Sequence, residues 1–169
     1  EHDFKGQWAS KCFDNELPII LELACGGGEY TVNLARDYTQ YNFIGLDIKG
    51  ARMYKGAKRA LEAGIRNAAF LRTRIELTAE FFAPAEIHQI WITFPDPFLK
   101  DSDENNRLTS PNFLNRYLPL LEEGGVVHLK TDSTELYTYS RNIFEQRDDL
   151  KIEVDNPDIY SGSLDHPAL

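Results

Sequence analysis

Glu22, the run Gly26-Gly27-Gly28 and Asp47 are spaced as the parts of a nucleotide-type cofactor site. Ile19-Ile20-Leu21-Glu22-Leu23 is a short apolar run of the kind that forms a buried strand, and the glycines after it let the backbone turn tightly against a ligand. Tyr30, Val32, Leu34 and Ala35 then fall at mostly helical spacing, so the unit reads as strand, glycine turn and helix, with free N–H groups at the helix N-terminus. A dinucleotide fingerprint G-x-G-x-x-G starting at Gly26 needs glycine at position 31, where the chain has Thr31. Glu22 would also set a negative charge against a pyrophosphate. An acid ahead of the glycines suits a cation, and S-adenosylmethionine carries a sulfonium and an ammonium and no phosphate. Asn42-Phe43-Ile44-Gly45-Leu46-Asp47 reads as a second strand whose closing acid lies about 20 residues beyond the glycines, the position that binds a ribose diol.

A third carboxylate stands in Pro95-Asp96-Pro97-Phe98, directly after the apolar run 87–94. A proline on each side restricts the backbone around Asp96 and holds its carboxylate in a loop at the C-terminal edge of a sheet, where open α/β sheets bind ligands. Asp96 is the catalytic candidate; the plainer reading is a turn residue.

The elements that must position these residues alternate. Strands are expected at 19–23, 42–47, 67–71, 87–94 and 126–131, and helices at 29–36, 49–63, 111–121 (capped by Ser110-Pro111 and ended by Gly124-Gly125) and 134–147. Strand, helix, strand, helix, strand is the order that builds a parallel sheet. Phe4, Trp8 and Phe13 read as a packed lead-in covering an edge of the core, 100–106 as an exposed loop, and 151–154 as the start of a sixth strand. The helix over 49–63 carries Lys49, Arg52, Lys55, Lys58 and Arg59 away from its apolar side, either as a solvated face or as an RNA-binding strip. His128 reads as a packed strand histidine. The last residues show no closing strand, so 1–169 reads as one domain incomplete at its C-terminal end.

At 169 residues and 42% hydrophobic composition the chain fits one globular domain, with no apolar run long enough to cross a membrane and no basic-then-apolar leader. A cytoplasmic protein is expected, with no membrane partner. Cys12 and Cys25 supply neither a disulfide framework nor zinc spacing, so no metal is expected and both thiols read as reduced. The net charge of −9 alone argues against nucleic acid, although a local basic surface can exist on an acidic protein.

Leu21-Glu22-Leu23-Ala24-Cys25-Gly26-Gly27-Gly28-Glu29, Phe43-Ile44-Gly45-Leu46-Asp47-Ile48-Lys49, Phe94-Pro95-Asp96-Pro97, Arg107-Leu108 with Pro111-Asn112-Phe113-Leu114, and Lys130-Thr131-Asp132 occur in collinear order. Together they resemble the bacterial tRNA (guanine-N7)-methyltransferase family. The resemblance implies a Rossmann-like α/β fold of the class I S-adenosylmethionine-dependent methyltransferases, with a mostly parallel sheet flanked by helices. It implies methyl transfer to N7 of a guanine in the variable loop of tRNA; a monomer or homodimer is expected. The cofactor residues it implies are Glu22, Gly26, Gly28, Asp47 and Asp96, with Arg74 where the family places an acid or amide near the adenine. Asp96 is also assigned to the active site, and Lys100 and Asp132 to the tRNA; Arg107 is a further substrate-binding candidate. The chain departs from the family in the loop after Asp96, which is usually dense in lysine and arginine and here holds Asp101, Asp103 and Glu104. That acidity keeps two other readings open: a methyltransferase for a small molecule or protein, and a module that binds donor or RNA without turnover.

Overall fold

Ile19 to Leu23 has apolar side chains pointing both ways, and it becomes the central strand. In the computed structural model, which describes residues 2–158, β1 (Ile19–Leu23) lies between β2 (Asn42–Asp47) and β4 (Ile87–Thr93), with β3 (Ala68–Arg72) outside β2 and β5 (Leu121–Lys130) outside β4. The sheet order is β3-β2-β1-β4-β5 and all four pairings are parallel. Every strand therefore ends at the same edge, and the order reverses between β1 and β4, which opens a crevice there.

The period-two alternation of the strands sorts the core into two layers. Ile19, Leu21 and Leu23 of β1 join Ile44, Leu46, Ile90 and Ile92 on one face, beneath Phe113, Leu114 and Tyr117 of α5 (Pro111–Tyr117). Ile20, Phe43 and Trp91 face the other way, against Leu34, Ala35 and Tyr38. Ala35 belongs to α2 (Glu29–Asp37), which shares that face with α3 (Gly50–Glu62). Each fully buried leucine contributes about 1.5–3 kcal/mol relative to exposure.

The expected lead-in is a short helix, α1 (Trp8–Phe13), whose Trp8 stacks on Phe82 at 5.3 Å and donates its indole N–H to Phe81 O at 2.8 Å. Phe81 closes α4 (Thr78–Phe81), a turn of helix the apolar periodicity was too short to reveal.

Four segments differ from the sequence expectation. The helix expected over 111–121 ends at Tyr117, because Pro119 has no N–H to continue it, and a 3-10 turn over Leu118–Leu120 follows. β5 starts at Leu121 and runs through Gly124-Gly125 instead of after them; a bulge between Ile87 and Gln89 absorbs the extra residues. Residues 151–154 form no strand, and 101–106 form an exposed 3-10 helix instead of an irregular loop. Most of the stretch expected to lack a closing strand lies outside the described residues. α6 (Thr134–Glu145) follows β5, capped by Ser133, whose Oγ accepts the Leu136 N–H.

Candidate functional site

The glycine turn is built from left-handed residues. Ala24, Gly26 and Gly28 have φ of 55°, 57° and 72°, and the turn is closed by the Gly28 N–H donating to Cys25 O at 2.8 Å. α3 packs directly on it: a Cβ on Gly56 would lie 2.6 Å from Gly27 O and 2.8 Å from the Phe70 ring, and a Cβ on Gly28 would strike the same ring. In front of Gly26 the situation is opposite, since a Cβ there would meet nothing within 4 Å. The turn thus presses glycine against glycine behind and leaves open space ahead.

Asp47 anchors this turn. Its Oδ2 accepts the Gly26 N–H at 2.9 Å and its Oδ1 accepts the Lys49 N–H at 2.8 Å. Each oxygen retains a further lone pair for a ligand hydroxyl. Residues 19–31 contain no lysine or arginine that would favour a phosphate. An acid with spare acceptor capacity, open space at Gly26 and no cation in the turn fit the expected sulfonium donor.

Glu22 is 5% exposed and its carboxylate is held on both oxygens. Oε2 accepts the Thr31 N–H at 2.9 Å and the Thr31 hydroxyl; Oε1 accepts the Thr93 hydroxyl at 2.6 Å. Burial pushes the Glu22 carboxyl above its usual range, against these three donors. Thr31, the residue that breaks the dinucleotide fingerprint, is therefore the one that ties α2 to β1. Its role and that of Thr93 are absent from the sequence reading, because a threonine pattern carries no signal until the fold brings both hydroxyls to one carboxylate.

Beyond Thr93 the chain turns at Phe94, with φ of 46°, whose N–H donates to Lys130 O at 2.7 Å and whose side chain is 45% exposed. Its ring lies 6.2 Å from that of Tyr30, and Lys130 Nζ lies 5.5 Å from the Tyr30 ring. These three join the ends of β4 and β5 to the start of α2. Asp96 follows, exposed, its Oδ1 accepting the Phe98 N–H at 3.3 Å. The prolines and this bond hold the carboxylate at the edge and leave it accessible.

Arg107, expected at the RNA, is 9% exposed and faces inward. Its Nη2 donates to Phe98 O at 2.9 Å, its Nε reaches Pro97 O and Phe98 O at 3.2 Å, and its guanidinium stacks 4.3 Å over the Tyr139 ring. Through Nε and Nη2 it clamps the Asp96 loop. Lys100 and Asp132 are exposed, at the start of the 3-10 helix over 101–106 and just past β5. Arg74 is exposed and paired with Glu76 at 2.8 Å, one residue after Thr73, whose N–H donates to Asp47 O at 3.1 Å. Cys25 is buried, and its thiol is pushed up by burial and by the nearby Glu22 and Asp47, which removes it as a nucleophile. His128 stacks on Trp91 at 4.3 Å, a packed strand residue. Among the described residues no His, Cys, Asp and Glu cluster could hold a metal ion.

A sequence profile for a family described as putative methyltransferase matches residues 16–165. The tRNA (guanine-N(7)-)-methyltransferase of Bacteroides fragilis is 48% identical over 96% of this chain and 63% of its own length. The protein of that name from Porphyromonas gingivalis is 54% identical over 83% of this chain and 57% of its own length. That of Cytophaga hutchinsonii is 42% identical over 95% of this chain and 73% of its own length. The chain thus spans under two thirds of the length of the first two. Among solved structures, one titled as an antibiotic related methyltransferase superposes with a TM-score of 0.62 at 17% identity, covering 85% of this chain and 75% of that one. The 16S rRNA methyltransferase KamB gives 0.59 at 17% identity, covering 76% and 60%. These establish the fold, a five-stranded version of the class I methyltransferase sheet.

Proposed function

This chain belongs to the tRNA (guanine-N(7)-)-methyltransferase family, and from that premise we propose that the protein transfers a methyl group from S-adenosylmethionine to N7 of a guanine in the variable loop of tRNA. The observation that carries the proposal is the position of Asp96, an accessible carboxylate held by two prolines at the switch-point edge and fixed to β1 through the adjacent Thr93–Glu22 bond.

When bound, the donor supplies an electrophilic methyl on a sulfonium. Guanine N7 carries a lone pair and no proton, so the new C–N bond forms as the C–S bond breaks, with no base needed to activate the nucleophile. The task left to the chain is orientation. Asp47, which keeps the Gly26 turn in place, would hold the ribose diol of the donor with its spare lone pairs. Glu22 is a positioning residue that sets α2 and the end of β4 at fixed separation. Asp96 accepts hydrogen bonds from the N1–H and N2–H₂ edge of the guanine and offsets the positive charge that grows on the ring. Phe94 and Tyr30 offer apolar surface beside that position.

Incubation with methyl-labelled S-adenosylmethionine and unmodified tRNA tests the reading. Label at guanine N7 of the variable loop supports it. Label only on a small molecule or protein, or donor binding with no transfer, contradicts it.

A further inference from the structure

Residues 48–72 hold seven of the 18 Lys and Arg (Lys49, Arg52, Lys55, Lys58, Arg59, Arg66 and Arg72) and a single acid, Glu62, in a chain of net charge −9. That segment is strongly cationic and everything outside it is strongly anionic. The segregation has a structural counterpart. Met53, Gly56 and Ala60 bury one side of α3 against the sheet and the glycine turn, and the helical spacing turns Arg52, Lys55, Lys58 and Arg59 outward, all exposed. Acids pair with only part of this face: Lys58 meets Glu62 at 3.7 Å and Arg59 meets Glu29 at 4.0 Å, while Arg52 and Lys55 have no ion-pair partner among the described residues. Tyr54 is 66% exposed among them.

A solvated face has no reason to concentrate one sign, because mixed charges at i,i+4 stabilise a helix and like charges there destabilise it. The helix also begins where the site ends, since Gly50 comes three residues after Asp47. Its thirteen residues extend roughly 20 Å away from the edge that bears Asp96. The 3-10 helix over 101–106, beside Asp96, is by contrast acidic and unsuited to phosphate.

We propose that the outer face of α3 is the electrostatic docking surface for the RNA substrate, with Arg52 and Lys55 contacting backbone phosphates. It takes over the affinity that the acidic 101–106 segment cannot supply. This rests on the tRNA reading above. Contacts of this kind carry no sequence information; they set register on the substrate and make affinity fall with salt.

The double variant Arg52→Glu, Lys55→Glu tests it, with unmodified tRNA transcript as the probe and binding measured between 50 and 200 mM salt, on the order of the range where such contacts are lost. The expected result is a loss of about tenfold or more in tRNA affinity and a salt slope smaller by roughly 1.5–2 units. S-adenosylmethionine affinity and melting temperature should match the wild type, and Arg52→Lys with Lys55→Arg should bind normally. A double variant that binds and methylates tRNA like the wild type, with the same salt slope, overturns the surface and leaves the methyltransferase reading standing. Wild-type protein that neither binds nor methylates tRNA overturns both. Binding of this face to anionic lipid vesicles, with tRNA affinity unchanged in the variant, overturns the RNA assignment.

Discussion

The Thr93 hydroxyl donates a 2.6 Å hydrogen bond to Glu22 Oε1, joining the last residue of β4 to a buried carboxylate on the neighbouring strand β1. Because Thr31 grips the other oxygen of Glu22, one carboxylate locks the start of α2 and the loop leading to Asp96 into a single unit. The acid that reads, in sequence, as a cofactor ligand also ties these elements of the edge together.

Glu22→Gln keeps the size but presents one acceptor oxygen to three donors, so a buried donor loses its partner at a cost of about 1–3 kcal/mol. Its pH dependence has a definite sign. The folded Glu22 carboxyl lies above the ordinary value of 4.5. Its contribution is therefore fully present below that value and is lost as pH rises through the folded one. Urea denaturation across that window should show the wild type losing ground to Glu22→Gln as pH increases. A difference that moves the other way would mean that the ionised form is the one the fold stabilises.

Arg107→Ala removes the clamp on Pro97 O and Phe98 O and the stack on Tyr139. A loss of about 2–3 kcal/mol in stability is expected, from charge-assisted bonds and a buried stem. Arg107→Lys should recover little, since one ammonium cannot reach the carbonyls as a planar fork does. If Arg107 instead contacts RNA, Arg107→Ala will weaken tRNA binding at unchanged stability.

Phe94 holds a left-handed φ that costs an L-residue about 1 kcal/mol and costs glycine almost nothing. Phe94→Gly should therefore be more stable than Phe94→Ala by about that amount, measured as a shift in urea midpoint at equal slope. Equal stabilities would remove the strain from this turn.

Most of the scaffold is readable before any coordinates, for physical reasons. Ile19 to Leu23, Asn42 to Asp47 and Ile87 to Thr93 are short segments rich in isoleucine, leucine and aromatic residues, and their parallel order follows from the alternation with helices. Only the start of β5 is misjudged, because Gly124-Gly125 normally ends an element, and here the pair is carried through the start of a strand beside a bulge. The short helices α1 and α4 have too few residues to show a period. In the candidate site, Asp47 and Asp96 are singled out by their spacing from glycines and prolines, as the proposed contacts to donor and guanine. Thr31, Thr93 and Tyr30 are not, because their roles depend on partners distant in the chain, Glu22 for Thr93 and Lys130 for Tyr30. Arg107 carries no sequence signal for its clamp on Pro97 O and Phe98 O, for a related reason: that contact exists only once the fold buries the side chain beside the loop.

Asp47→Ala should weaken S-adenosylmethionine by about ten- to a hundredfold in calorimetry, since a charge-assisted pair of bonds to a diol is lost and the Gly26 turn is released. tRNA affinity should stay near the wild-type value. Unchanged donor affinity would remove Asp47 from the site.

The measurement that bears most directly on the proposed chemistry is single-turnover methylation of tRNA by Asp96→Asn, run beside calorimetry with S-adenosylmethionine. The substitution keeps the size of the side chain between Pro95 and Pro97 and removes its charge. If Asp96 orients the guanine and offsets the positive charge on its ring, donor affinity stays at the wild-type value while the rate of transfer falls by about 10²-fold or more. Transfer at a near-normal rate, with donor affinity intact, would contradict the account and leave Asp96 as a turn residue.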